Sequence, residues 1–130
     1  MARKKVDKMK KLEDLKDAIV VTNDSFSYAN ENYSRIRDNA LLFMNGGEKK
    51  VIATQSSLSN ELKTTVCANL AVSFGYIDKK VLVIDLDFRN PSVHRIFNVE
   101  NTEGLSDVML EKATIEQAIK HSEYKNVGSG

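Results

Sequence analysis

The stretch that most constrains this chain is Val81-Leu82-Val83-Ile84, followed at once by Asp85-Leu86-Asp87-Phe88-Arg89-Asn90-Pro91. Four apolar residues without alternation read as a strand covered on both faces, the pattern of a parallel sheet in an α/β domain. Two carboxylates then fall at the carboxyl end of that strand, the edge where open α/β sheets place their ligands. A plainer reading stays open beside this one, in which Asp85 only turns or caps the chain after the strand.

The preceding segments supply the rest of a βαβ unit. Lys49 to Thr54 reads as a short β-branched strand and Gln55 to Asn60 as a polar loop. From Glu61 to Tyr76, Leu62, Val66, Leu70 and Phe74 recur at four-residue steps, which predicts a well-buried helix. Strand, helix and strand together predict one right-handed crossover. Another helix is expected from about Ser25 to Met44, opened by Asn23-Asp24 and closed by Asn45-Gly46-Gly47, with Tyr33, Ile36, Ala40 and Phe43 on one face. Short helices are expected at Ser92 to Phe97, Leu105 to Leu110 and Thr114 to Lys120, the last with Gln117 in capping-box register to Thr114. Residues 1–22 read as a basic arm with Val6, Met9, Leu12 and Leu15 as its apolar stripe, 23–127 as one domain, and 128–130 as a tail or linker scar.

Composition narrows the function classes. With 130 residues, 42% hydrophobic and 28% charged, the chain has room for one globular domain. Its 19 basic and 18 acidic residues nearly cancel to +1, leaving no overall field for nucleic acid or an anionic membrane. Cys67 is alone, so an internal disulfide and a cysteine zinc site are both excluded. No run reaches the ~20 apolar residues of a membrane span, and a cytoplasmic location is the expectation.

A phosphate loop requires small residues whose N–H groups turn inward, a Lys for the β and γ phosphates, and a Ser or Thr for Mg²⁺. Lys63-Thr64 supplies the last two, but Asn60 and Leu62 stand where glycines are needed. A lysine at a helix start is also an ordinary surface residue, so the pair by itself does not make the motif. His94 and His121 have no companions at metal-ligand spacing. Tyr28, Tyr33, Tyr76 and Tyr124 are scattered, and Tyr33 reads first as a helix packing residue.

The segment Lys63-Thr64-Thr65-Val66-Cys67-Ala68-Asn69-Leu70-Ala71, followed by Val81 to Phe97, resembles the bacterial tyrosine kinases of capsule and exopolysaccharide synthesis. Their phosphate motif continues Lys-Ser-Thr-Thr and Ala-Asn-Leu-Ala, and their second motif reads Leu-Ile-Asp-x-Asp-x-Arg-x-Pro. Asn30 to Asn39 is similar to the family's Glu-x-x-Arg-x-x-Arg helix, and Thr102 to Val108 to its Gly-Leu-Ser-Asp-Val segment. The resemblance implies a P-loop NTPase-like parallel sheet with flanking helices, truncated here after the second strand and its following helices. It implies ATP and Mg²⁺ as cofactors. Ser59, Asn60, Glu61, Leu62, Lys63, Thr64 and Thr65 would bind nucleotide, Thr64, Asp85 and Asp87 the metal, and Lys63, Asp85 and Asp87 would serve catalysis. Glu31 and Arg37 would serve oligomerisation, Ser34 replacing the arginine between them.

The implied function is the ATP-binding part of a tyrosine-protein kinase, with weak or no activity in this chain because a side chain at Leu62 obstructs the approach of phosphate. The alternative is a non-catalytic interaction module that binds a membrane adaptor or a full-length kinase and modulates polysaccharide synthesis. The implied partners are that adaptor, at the inner face of the plasma membrane, and further copies of the chain, with no nucleic acid.

Overall fold

The structure is a computed structural model that describes residues 2–3, 18–21, 27–45, 50–57 and 62–130. The expected stripe of the N-terminal arm, at Val6, Met9, Leu12 and Leu15, lies outside the described residues. The first helix, α1, runs Tyr28–Met44. Asn23 and Asp24 also fall outside the described residues, and Ser27 is the N-cap, its hydroxyl accepting from the Asn30 N–H at 3.4 Å. Asn45 ends the helix in the left-handed conformation, as the Asn-Gly-Gly sequence predicts.

The second helix, α2, runs Leu62–Tyr76. Its two halves differ: Ala68 to Gly75 are all buried, whereas Leu62 and Val66 at the other end are exposed. A helix apolar all round must be enclosed, and α2 is covered by α1, by the strands and by a short helix, α3 (Val93–Ile96). Gly75 is required by close approach, since a Cβ there would collide with the Lys125 carbonyl. The core is built from Ala68, Ala71 and Val72 of α2 with Val83, Ile96, Phe97 and Val127 around them. Tyr124 packs on Phe97 edge to face, with ring centroids 5.9 Å apart.

Among the described residues the sheet has three strands: β1 (Val81–Val83), β2 (Lys120–His121) and β3 (Val127–Ser129), in the order β1-β3-β2. β1 and β3 are parallel, Val81 opposite Val127, and β2 and β3 are antiparallel, Lys120 opposite Ser129. Two sequence expectations change here. Residues 50–54 enter no ladder, and Val51 is 96% exposed. Strand propensity expresses itself through cross-strand neighbours, and β1 makes its ladder with β3 instead, so the parallel crossover observed is the one spanning 84–126. Gly128 and Ser129, read from the sequence as part of a tail or linker scar, instead belong to the middle strand, with Val127 and Ser129 each 3% exposed.

Between β1 and β2 lie α3 (Val93–Ile96), α4 (Leu105–Met109) and α5 (Ile115–Ala118). The capping box of α5 is present: the Gln117 N–H donates to Thr114 Oγ1 at 3.2 Å, and the Thr114 N–H to Gln117 Oε1 at 2.8 Å. α5 stops earlier than expected because Lys120 and His121 turn into the ladder with β3.

Candidate functional site

The Asp85 to Pro91 turn follows β1 directly, and its geometry is set by side-chain acceptors. Asp85 Oδ2 accepts the N–H groups of Ser92 at 2.9 Å and Val93 at 3.1 Å, and Oδ1 accepts that of Asp87 at 3.0 Å. Asp87 Oδ1 in turn accepts the Asn90 N–H at 3.1 Å. The two carboxylates therefore shape the turn and hold the start of α3, so Asp85 does cap the chain after the strand. The backbone of Asp85 is fixed as well, its N–H donating to the Gly130 carbonyl at 3.2 Å, so β3 positions this site.

Asp85 and Asp87 border a cleft of about 270 Å³ that also meets His94, Glu103, Asp107 and Lys120. Burial pushes the His94 imidazole below its usual pKa, Arg95 adds to that shift, and Asp85 opposes it. Among the described residues no group of three His, Cys, Asp or Glu is arranged to hold a metal ion. That donor set does not make a free-standing metal site, but it fits Mg²⁺ arriving with a nucleotide, which needs only one or two carboxylates besides the phosphates.

Lys63 and Thr64 stand in the first turn of α2, both half-buried, where orphan N–H groups and the helix dipole favour an anion. The cleft beside Asp85 is not lined by Lys63, Thr64 or Thr65. Ser59, Asn60 and Glu61 lie outside the described residues. Leu62 is 68% exposed, so its side chain stands in solvent at the mouth of the helix.

On α1, Glu31 is engaged locally, accepting from Arg35 at 2.6 Å across one helical turn. Arg37 turns inward: its Nη1 donates to both the carbonyl and the hydroxyl of Ser73, each at 3.2 Å, and its Nε to Asp38. Burial raises the Tyr33 pKa, as expected for a packing residue. Asn69, which sequence reasoning passed over, is wholly buried with every amide group bonded. Its signal was there to read: a polar side chain inside the apolar run Ala68 to Phe74 has to find partners.

Comparison with known proteins identifies the lineage. The family model described as AAA domain matches residues 49–129, more than half of the chain. The chain belongs to the AAA domain family. This AAA domain is 38% identical to the tyrosine-protein kinase YwqD of Bacillus subtilis over 109 residues, which is 84% of the chain and 46% of that relative. It is 39% identical over 64 residues to the tyrosine-protein kinase wzc of Salmonella typhi, covering 49% of the chain and 9% of that relative. Among solved structures, the chimerical protein CapA2B2 superposes with a TM-score of 0.77 at 31% identity, covering 86% of this chain and 49% of that one. The kinase domain of the Escherichia coli tyrosine kinase ETK gives the same TM-score at 25% identity, covering 85% and 44%. The relatives are thus bacterial tyrosine kinases, as the sequence motifs imply, and the AAA domain spans about half the length of YwqD.

Proposed function

We propose that this AAA domain is the phosphate-binding part of a bacterial tyrosine kinase that regulates capsular or exopolysaccharide synthesis, with weak nucleotide binding. The observation that carries it is the 38% identity to a tyrosine-protein kinase over a span holding both Lys63-Thr64 and Asp85 to Asp87. In this reading Lys63 neutralises the phosphates, Thr64 holds Mg²⁺ by its hydroxyl, and Asp85 and Asp87 serve the metal and the attacking hydroxyl. Mg-ATP, when bound, supplies the phosphoryl group and the charge neutralisation that such transfer needs. Asp85 keeps lone pairs beyond those used by its three N–H donors, since a carboxylate accepts at about four sites. Glu31 and Arg37 are the proposed oligomerisation residues, and an adaptor at the inner face of the membrane the proposed partner. No helix among the described residues is long and apolar enough to cross a membrane.

A second reading, a non-catalytic module that binds an adaptor or a full-length kinase, is favoured by Leu62, whose side chain occupies a position that a phosphate loop keeps bare. Thermal unfolding with and without Mg-ATP separates the two. Nucleotide at about 100 times its dissociation constant adds about 2.7 kcal/mol, and the kinase reading with weak binding expects a smaller rise at millimolar Mg-ATP, growing in Leu62→Gly. A transition indifferent to Mg-ATP in both proteins would leave the interaction module.

A further inference from the structure

Residues 18–21 have no regular structure, yet they are fastened to α2 by one side chain. Asn69 Oδ1 accepts the N–H groups of Val20 at 2.8 Å and Val21 at 3.2 Å. Asn69 Nδ2 donates to the Ala18 carbonyl at 2.7 Å and to the Thr65 carbonyl at 2.9 Å. A single amide nitrogen therefore bonds both the segment and the first turn of α2, one residue from Thr64. The joint is dry at Asn69 and Val21, 0% and 4% exposed, and half-open at Val20, 45% exposed, while Ala18 and Ile19 pack on the same core. Water cannot replace these bonds while the segment is seated.

We infer that Asn69 is a positioning residue and residues 18–21 a strap, such that seating the strap orders the turn of α2 that carries Lys63 and Thr64. Released, the strap gives its N–H groups and the Ala18 carbonyl to water, and the buried Asn69 amide, three of its four partners gone, swings free of Thr65. The first turn then loses the side-chain bond that Asn69 makes to the Thr65 carbonyl, one turn back in the same helix. The strap follows directly in sequence on the Lys-rich residues 1–17. The inference deepens the phosphate-binding reading by giving that site a means of regulation, and its physical core is a coupling between two backbone segments.

The test is amide hydrogen exchange on the full chain, read at residues 18–21 and at residues 62–66, for the wild type, Asn69→Ala and Val20→Pro. The proline variant removes one strap donor and leaves α2 untouched, so it reports even if Asn69→Ala unfolds. Loss of one buried hydrogen bond should speed local exchange about ten-fold or more, and both variants are expected to show this in the strap and in the first turn together. Faster exchange confined to 18–21 in Val20→Pro, with 62–66 unchanged, overturns the inference. Titration of the same proteins with Mg-ATP keeps the two readings apart. Absence of binding in the wild type would sink the nucleotide reading while the exchange coupling stands or falls by itself. With binding present, Val20→Pro is expected to weaken it at least a few-fold, and equal affinity would overturn the regulatory role.

Discussion

Replacing Asp85 by alanine should unfold this protein more readily with no ligand present. The carboxylate accepts three backbone N–H groups, and two of the donors, Ser92 and Val93, belong to residues only 7% and 5% exposed. Hydrogen bonds to a charged acceptor contribute about 1.5–3 kcal/mol each. Taking the low end for the two buried donors, and nothing for the exposed Asp87 N–H, gives a loss of about 3 kcal/mol. For a chain of this length that is a fall of about 10 °C in Tm. α3 is only four residues long and has no side-chain cap of its own at Ser92, so little else can take up its first N–H groups. The assay is urea denaturation of the two proteins, with the midpoint lowered and the slope unchanged. Asp85→Asn keeps one acceptor oxygen and should recover part of the loss. A loss in Asp85→Ala of under about 0.5 kcal/mol, the size of an ordinary surface change, would refute the reasoning. If it holds, the effect of Asp85 substitutions on any phosphoryl transfer has to be read against folded protein alone.

Two further outcomes are expected. Gly75→Ala gains about 1 kcal/mol of helix propensity but drives a Cβ into the Lys125 carbonyl. Overpacking of about 1–3 kcal/mol should win, seen as a lower Tm. The pKa of His94 is held below the ordinary histidine value of 6.5 chiefly by burial, so the unfolded chain binds its proton first as pH falls. Its contribution is complete above pH 6.5 and lost as pH drops through the lowered value; stability measured from pH 7 to 5 should decline, and less steeply in His94→Gln.

The sequence made the helices and the carboxylate turn legible because their determinants are local. Asn45 closing α1, the Thr114 and Gln117 capping box, and Val81 to Val83 as a parallel strand were readable from neighbours a few residues away. Non-local pairing was not. Val51 and Ile52 have strand-forming side chains but no ladder, while Val127-Gly128-Ser129, unpromising by composition, is the central strand because β1 and β2 flank it. At the candidate site, the phosphate-loop motif located Lys63 and the end of the apolar run located Asp85, but neither could tell that the Asp85 oxygens turn onto Ser92 and Val93. The exposure of Leu62 and Val66 shows the limit of a four-residue stripe: it names a face, and only the tertiary neighbours decide how much of that face is covered.

The place of β3 also sets an order of events in time. Because it lies between two strands that precede it, β1 has no ladder partner until residues 127–129 have been made. At roughly 5–20 residues per second on the ribosome, that delay is a few seconds. During it, the α1 and α2 pair can form from nearby contacts, but Leu82 and Val83 wait with bare edges. Chaperone engagement of the nascent chain is therefore expected to peak after β1 emerges and to fall as β3 pairs with it.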